Sequence, residues 1–446
     1  MLQLFLVILF CILGVITGIA TGLLPGLHVN NIALILLSLS SPIVAGFSFL
    51  FEYGISEQFI LILICIYIVS TSISHTFHDV IPSTFLGAPD EDMALSVLPA
   101  HSLLLEGKGY EAVAISAMGS YGAILFCFLL LYPIRLIIGN PLFFYESLRE
   151  IMLFVLIAIS ILMIGTEKAK IDDFTKKGKK PAIIGMLFAI FVFILSGIFG
   201  IIIFQVPVDS PIGLSSPVLF PALAGLFGTP TLLTSLMTKP VIPKQEIFEP
   251  TLNKSTKKSS VLSITTGSLG GILVSIIPGI TSATGTILAM NARGESDKRQ
   301  TIITLSSVNT ACAFFVVVVM YIILRSRSGA TLAAMELISV DEWTALLIPT
   351  NLCYFLISLL LGGTLSYFFT LKVGKIFAKR FANVPYSSIV KLTITMIVIL
   401  VILFTGFVGI LILIVATCIG LLPVEWGVRR SHCMGILLIP IILYFL

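Results

Sequence analysis

The sequence has little charge for its length. Of 446 residues, 11% are charged and 57% are hydrophobic, and the mean hydropathy is +1.12. A water-soluble domain cannot bury that much apolar surface, so we expect a multi-spanning membrane protein. The alternating pattern of membrane β-strands is absent, which favours helices. A helical span needs about 20 residues, which predicts about ten to twelve membrane helices.

Other absences narrow the chemistry. The seven cysteines are scattered and form no CxxC pair, which predicts buried thiols rather than a metal site or a disulfide framework. The HExxH arrangement of metalloproteases is missing as well. The first 24 residues have neither a basic leader nor a small-residue cleavage site, which predicts a retained helix rather than a signal peptide. We therefore expect no metal and no cofactor.

Lysines are concentrated in three polar stretches, 167–180, 239–258 and 372–391. By the positive-inside rule all three lie in the cytoplasm, and the protein is predicted to be a multi-pass protein of the cell membrane. Lysines beside apolar spans indicate topology rather than binding to nucleic acid. The stretch 239–258 also holds three prolines and is interpreted as a linker between a first half, 1–238, and a second half, 259–446.

One pattern occurs in both halves of the chain. Gly14, Gly18 and Gly22 precede Pro25-Gly26, and Gly267, Gly271 and Ser275 precede Pro278-Gly279 in the same four-residue steps. Small residues at this spacing allow close helix packing in lipid, and Pro-Gly interrupts a helix. The duplication predicts an all-α polytopic membrane protein with two structural repeats and broken or re-entrant helices. By analogy with other transporters, the repeats are expected to be inverted.

The residues beside the two interruptions form the predicted substrate site. An interrupted helix exposes amide N–H groups at the N-terminus of its second half, and these favour an anion. Nearby hydroxyl and amide side chains add hydrogen bonds without a buried charge. The candidate substrate-binding residues are Pro25, Gly26, Asn30, Asn31, Pro278, Gly279, Thr281, Ser282, Thr284, Asn309 and Thr310. The alternative is a pair of ordinary kinks whose hydroxyls bond to their own helices.

Ionisable residues beside long apolar runs are a second kind of candidate. His75 and Asp79 are four positions apart, so they share one helix face and are candidates for proton or sodium coupling. The alternative places them at the membrane surface, where Pro82 ends the helix. Arg325 and Arg327 either attract an anion at an entrance or lie at the membrane interface.

Five short motifs follow one another along most of the chain. They are GIATGLLPGL at 18–27, LGAP at 86–89, Pro99 followed by EGKG at 106–109, GLF at 225–227 and GGILVSIIPG at 270–279. In this order they resemble the large membrane subunit of the tripartite tricarboxylate transporters, in particular its stand-alone prokaryotic relatives. The resemblance implies a two-repeat transporter that moves carboxylates with an ion gradient and binds them near the two Pro-Gly pairs. It also implies an external solute-binding protein and a small membrane subunit as partners.

The predicted function is secondary active transport of a small organic anion, a carboxylate, driven by H⁺ or Na⁺ in a lipid membrane. Two alternatives stay open. A flippase for a lipid-linked phosphate also suits a duplicated Pro-Gly break followed by Ser and Thr. An intramembrane enzyme needs a nucleophile, a base or a metal in one watery pocket, and the sequence offers only His75, His78 and Asp79 for it.

Overall fold

The protein is helical throughout the part of the chain that the structure describes. The computed structural model describes residues 1–24, 29–87, 97–165, 167, 180–208, 210–211, 218–238, 243–247, 254–277, 280–294, 297–344, 346–381 and 386–446. No strand occurs within these ranges. The all-α prediction is therefore confirmed.

The helices of the first half are α1 (Leu2–Leu23), α2 (Val29–Ser38), α3 (Ser40–Gly46), α4 (Glu57–His78), α5 (Val80–Phe85), α6 (Val97–Leu105), α7 (Gly109–Ile138), α8 (Phe144–Glu150), α9 (Met152–Gly165), α10 (Lys180–Ile203), α11 (Leu219–Leu223) and α12 (Thr229–Thr238). A π-helix (Ala224–Gly228) joins α11 to α12. Those of the second half are α13 (Lys254–Ile276), α14 (Ser282–Arg293), α15 (Lys298–Ile323), α16 (Gly329–Leu337), α17 (Thr350–Phe381), α18 (Tyr386–Glu425) and α19 (Gly435–Phe445). Short 3₁₀-helices span Ser48–Tyr53 and Arg430–Met434.

Eight described helices are long and apolar enough to cross a membrane, and α8 with α9, bent by 74°, makes a ninth such segment. The helix α18 is itself two limbs joined at Gly406, whose φ is 60° and ψ is −157°. A Cβ on Gly409 would lie 3.1 Å from Val401 Cγ1, although eight residues of straight helix rise about 12 Å. The described chain therefore holds eight such helices, or nine with the bent pair, whereas the sequence predicts about ten to twelve.

The first stripe of small residues packs α1 directly against α4. A Cβ on Gly14 would lie 2.5 Å from the carbonyl oxygen of Tyr67, and one on Gly22 would lie 2.7 Å from the Cβ of His78. Gly18, between them, is equally tight. No larger residue fits at these points without moving a helix, so the stripe fixes the approach of α1 to α4.

The second stripe packs α13 against α15 in the same way. A Cβ on Gly267 would lie 2.7 Å from the carbonyl oxygen of Thr304, and one on Gly271 would lie 2.5 Å from that of Val308. The matching contacts in the first half are Gly14 with the Tyr67 carbonyl and Gly18 with the Thr71 carbonyl. The two helix pairs therefore pack in the same register.

The helices gather into two groups. The core group contains α1 to α7 and α13 to α17, and the second group contains α9 to α12, α18 and α19. In the core group, α4 packs along α17, and α7 packs along α15. In the second group, α10 packs along α19, and α18 packs along α11, the π-helix and α12. Long helices of one half therefore lie against helices of the other half in both groups.

The side-chain contacts give the directions of the core helices. α7 and α15 run parallel, because Glu111 pairs with Arg299 near their starts and Phe128 lies against Phe314 further along both helices. α7 and α17 run antiparallel. Val113, near the start of α7, contacts Gly374, whereas Ile124, further along α7, contacts Gly363, which comes earlier in α17.

Candidate functional site

The first predicted interruption lies between α1 and α2. The helix α1 ends at Leu23, and α2 begins at Val29. Pro25 and Gly26 lie outside the described residues, as do the neighbouring positions 27 and 28. α1 therefore ends just before the predicted interruption, and the two residues expected to cause the interruption are not part of the geometry below.

The two asparagines that follow this interruption lie at the start of α2. Asn30 Oδ1 accepts a hydrogen bond from the backbone N–H of Ala330 at 3.1 Å. This contact joins α2 to the first turn of α16, which belongs to the second half of the chain. Asn31 also belongs to α2, but its side chain is outside the description.

The second interruption lies between α13, which ends at Ile276, and α14, which begins at Ser282. Pro278 and Gly279 are outside the described residues. Thr281 precedes the first turn of α14 in an extended conformation, and its hydroxyl points to Met434 Sδ at 3.7 Å rather than capping the helix. The N-terminus of α14 therefore starts at a buried position next to the second helix group.

Three side chains form a buried polar chain from the second interruption to α4. Ser282 Oγ donates to Asn309 Oδ1 at 3.5 Å, and Asn309 Nδ2 donates to Asp79 Oδ2 at 2.8 Å. The three residues are 0%, 3% and 1% exposed. A polar chain this deeply buried is stable only if its members satisfy one another. It connects the start of α14, the middle of α15 and the residue that ends α4.

The first interruption adjoins the same turn of α4. Gly22, one turn before the gap, packs so closely there that a Cβ would lie 3.2 Å from the Asp79 backbone nitrogen. Thr21 Oγ1 lies 3.1 Å from His75 Nδ1. His75 therefore faces α1 while Asp79 faces α15. The helix ends beside both interruptions thus border one buried polar cluster.

The remaining predicted residues lie around this cluster. Thr310 Oγ1 is 3.2 Å from Thr76 Oγ1, which adds a second bond between α15 and α4. Thr284, in the first turn of α14, is 1% exposed. Asn309 and Thr310 of the second half therefore both reach α4 of the first half. His75 and Asp79 are buried inside the bundle rather than placed at its surface.

Arg327 lies at the second interruption. Its Nη2 donates to the Ile280 carbonyl at 2.8 Å, and its Nη1 donates to the Ile277 carbonyl. A guanidinium at the C-terminal end of α13 complements the negative end of the helix dipole. The sequence is compatible with this arginine at an anion entrance or at the membrane interface, and in the structure it binds the carbonyls on either side of Pro278-Gly279.

Sequence reasoning missed a buried pair in the second helix group. Glu167 Oε2 lies 2.5 Å from His432 Nε2. His432 could have been singled out from the sequence, because it stands at the start of the last apolar segment and ionisable residues at membrane depth are functional candidates. Within the described residues, no group of three or more His, Cys, Asp or Glu side chains is arranged to hold a metal ion.

The fold and the buried cluster define a polytopic helical membrane protein with two interrupted helices at its centre. The model of the tripartite tricarboxylate transporter TctA family matches residues 8–435. The chain belongs to this transporter family, which confirms the resemblance drawn from the motifs. It is also 28% identical over 445 residues to the uncharacterized protein MJ1079 of Methanocaldococcus jannaschii, a match that covers 98% of this chain and 99% of that protein. No solved structure matches the chain.

Proposed function

We propose that the protein is a secondary active transporter of a small organic anion, a carboxylate, driven by an H⁺ or Na⁺ gradient through alternating access. The observation that carries this proposal is the buried chain Ser282–Asn309–Asp79 between the two helix interruptions. Interrupted helices that meet in a buried polar cluster are the usual substrate site of such transporters. Membership of a family named for tricarboxylate transport supports the choice of a carboxylate.

The anion binds at the start of α14 in this proposal. The first amide N–H groups of a helix have no acceptor one turn earlier in the same helix, and the helix dipole favours a negative charge there. Thr281, Ser282 and Thr284 offer hydroxyls at the same helix end. Pro25, Gly26, Asn31, Pro278 and Gly279 keep their proposed binding role on the sequence pattern alone. Asn30 and Thr310 take part by joining the two halves around the site.

Asp79 carries the coupling ion in this proposal, with His75 beside it. A buried carboxylate binds either a proton or, with neighbouring oxygen atoms, a sodium ion. Asn309 contacts Asp79 through its amide nitrogen and Ser282 through its amide oxygen. One residue therefore links the ion site to the anion site, so a change in the charge of Asp79 reaches the start of α14 through a single side chain.

Two inverted repeats account for this arrangement. We assign the first to 1–238 and the second to 259–446, with 239–258 as the linker. The matched registers of α1 on α4 and of α13 on α15 support a repeat. The antiparallel contact of α7 with α17, the corresponding long helices of the two halves, supports the inversion. Rocking of one helix group against the other would then alternate access.

The proposed location is the cell membrane, with 167–180, 239–258 and 372–391 in the cytoplasm. Two described contacts support the placement of 239–258 and 372–391 on the same side of the membrane. Gln245 Oε1 accepts from Gly109 N–H at 2.8 Å at the start of α7, and Gly374, near the end of α17, also contacts that part of α7. An external solute-binding protein and a small membrane subunit are proposed partners because the family is tripartite.

Ligand-induced stabilisation tests the substrate class. We expect citrate to raise the unfolding temperature of the purified protein, because a ligand of the folded state stabilises it by mass action. A lipid-linked phosphate that stabilises the protein, with no effect of citrate or other carboxylates, would support the flippase alternative. No stabilisation by any small carboxylate would contradict the proposal.

Ser282→Ala tests the site, and Ser275→Ala is its matched control. Ser275 donates to the Ile272 carbonyl of its own helix at 2.7 Å, so its loss should leave citrate binding unchanged. Ser282→Ala removes a hydroxyl at the start of α14 and should weaken citrate binding by about 0.5–1.5 kcal/mol, or about 2- to 10-fold. Equal binding by both variants would show that the anion lies elsewhere.

A further inference from the structure

The second helix group holds a buried acid–base pair that the proposed transport site does not use. Glu167 follows α9, and His432 lies in the 3₁₀-helix Arg430–Met434; their side chains are 1% and 0% exposed. Glu167 Oε2 is 2.5 Å from His432 Nε2 and also accepts the backbone N–H of Arg429 at 3.3 Å. Burying such a pair inside a membrane protein is costly, which makes a structural role alone a poor explanation.

The turn that carries His432 touches the second interruption. Met434 Sδ accepts the hydroxyl of Thr281, the residue directly before α14. On its other side, Arg430 Nη1 donates to the Phe227 carbonyl of the π-helix at 3.1 Å. Any movement of this turn therefore reaches the start of α14 through a direct contact.

Protonation of the His432 imidazole leaves one buried N–H donor without a hydrogen-bond acceptor in the described part of the chain. His432 Nε2 is held by Glu167, whereas Nδ1 is buried with no hydrogen-bond partner among the described residues. A proton taken up from water at Nδ1 adds a buried N–H donor that this arrangement does not satisfy, at a cost of about 1–3 kcal/mol. The Glu167 carboxylate supplies the counter-charge, so the conflict is relieved by rotation of the ring or movement of the turn.

Few other charges face this pair in the described chain. Two arginines, Arg429 and Arg430, and the titratable Cys433 lie on the turn itself or just before it. Among the helices that contact the turn, α9, α19 and the π-helix carry no charged residue. The charged residues of α10, α14 and α18 lie towards the ends of these helices, at Lys180, Arg293, Lys391 and Glu425. Arg430 is two residues before His432 on the turn, and its Nη1 donates to the Phe227 carbonyl.

We propose that Glu167 and His432 form a proton-binding site, separate from Asp79, that controls the contact of the Arg430–Met434 turn with Thr281. Without the proton, the neutral imidazole donates to Glu167 and the turn rests against the start of α14. With the proton on Nδ1, the turn moves and this contact is lost. The site lies in the second helix group, so it senses pH on a part of the protein that binds no substrate.

Tryptophan fluorescence tests the proposal without any substrate. The chain has two tryptophans, so Trp343→Phe leaves Trp426 as the reporter. Trp426 stacks on Phe188 of α10 with ring centroids 4.6 Å apart and precedes the turn by four residues. In the full-length protein in lipid nanodiscs, we expect one sigmoidal change in Trp426 emission as the pH is lowered, because protonation of the pair moves the turn.

Two variants of the Trp343→Phe protein test whether the change in Trp426 emission comes from this pair. Glu167→Gln keeps an acceptor for the imidazole but removes the counter-charge, and His432→Gln removes the proton site. Both should abolish the sigmoidal change. His101→Gln, which removes a buried histidine of α6 in the core group, should leave it in place. A transition that is unchanged in both Glu167→Gln and His432→Gln overturns the proposal.

A measurement on the unmutated pair covers the case in which these variants do not fold. Histidine labelled with ¹³C at Cε1 gives one NMR signal for each of the five histidines, and the His432 signal is the one that persists when each of the other four is replaced in turn by glutamine. That signal should titrate over the same pH range as Trp426 emission. A His432 signal that stays constant overturns the proposal. Neither experiment contains citrate, so failure of citrate binding would leave this result intact.

Discussion

The two halves of the core group share a packing scheme and differ in charge. α1 on α4 and α13 on α15 meet through small residues at matching positions. Under that register, the positions of His75, His78 and Asp79 on α4 correspond to Cys312, Phe315 and Val316 on α15. The polar residues of α15 in this region are uncharged, with Asn309 at the position that matches Ser72.

This difference shows that the architecture is duplicated while the chemistry is divided. The first half supplies the ionisable groups, and the second half supplies the amide and hydroxyl groups around the start of α14. Asp79 comes from the first half and Asn309 from the second, and their hydrogen bond joins the two contributions. In the proposed mechanism, this arrangement couples an ion to an anion across the boundary between the halves.

Removing the charge of Asp79 should have the largest effect. Asp79→Asn keeps the shape and a hydrogen-bond acceptor for Asn309 but cannot bind a coupling ion as a carboxylate does. We expect gradient-driven citrate uptake into liposomes to fall by about 10- to 100-fold, in line with about 1.5–3 kcal/mol for hydrogen bonds to charged groups. Partner subunits are included if uptake requires them.

The contrasting variant is Asn309→Ser, which gives α15 the residue that α4 has at the matching position. It should weaken citrate uptake and lower its dependence on the ion gradient less than Asp79→Asn does, because the carboxylate that binds the ion stays while the Asn309 link to Ser282 is weakened. If Asp79→Asn keeps full gradient dependence and Asn309→Ser loses it, the division of roles between the halves is reversed.

The shared packing should give the next largest effect, and it should be the same in both halves. Gly18→Ala and Gly271→Ala each place a methyl group against a backbone carbonyl, at 2.6 Å from Thr71 O and 2.5 Å from Val308 O. We expect each to lower the free energy of unfolding by about 1–3 kcal/mol, measured as thermal stability in detergent. Gly46→Ala is the control, because nothing lies within 4 Å of its Cβ position.

A loss of stability in Gly18→Ala with none in Gly271→Ala would break the equivalence of the two helix pairs. Gly46→Ala should be neutral or slightly stabilising, because alanine favours a helix more than glycine does. A destabilised Gly46→Ala would mean that the effect comes from the substitution itself and not from the tight approach.

The hydroxyl contact between the halves should contribute less. Thr76 Oγ1 and Thr310 Oγ1 are 3.2 Å apart and both are buried. Thr76→Val, Thr310→Val and the double variant form a thermodynamic cycle in which we expect a coupling energy of about 0.5–1.5 kcal/mol. Additive effects of the two substitutions on thermal stability would show that the contact joins α4 to α15 without stabilising them.

Sequence patterns predicted the class of protein, and they predict breaks just after the ends of α1 and α13, because both depend on local signals. Hydropathy gives the helices, and Pro-Gly after a small-residue stripe gives the points where α1 and α13 end. That His75 and Asp79 lie one turn apart also follows from their spacing, although His75 faces α1 and Asp79 faces α15. These features need no knowledge of which helix lies beside which.

The polar chain through Asn309 could not be predicted from the sequence in the same way. Asn309 stood out as a polar residue in an apolar span, but its partner Asp79 is 230 positions away and belongs to the other half. Arg327 and the Glu167–His432 pair are similar cases, since their partners are set by helix packing and not by spacing. Single-sequence reasoning finds such residues one at a time, and only the packed bundle shows which of them meet.

The smallest effect should come from an exposed contact between the halves, which sharpens the contrast with the buried Asp79–Asn309 bond. Lys298 Nζ donates to Glu106 Oε1 at 2.9 Å, with the side chains 52% and 42% exposed. The hydrogen bond from Lys298 holds the pKa of Glu106 below its ordinary value of 4.5. A lowered pKa means that the pair stabilises the folded state fully above pH 4.5 and loses this contribution as the pH falls through the lower folded value.

Glu106→Gln should therefore cost only about 0.2–1 kcal/mol at neutral pH, because water and salt screen an exposed pair. The difference from the unmutated protein in thermal stability should shrink in acid and also in high salt. A difference that persists unchanged in acid would mean that Glu106 acts through packing rather than charge. A cost as large as that of the buried substitutions would contradict the view that contacts between the halves gain their strength from burial.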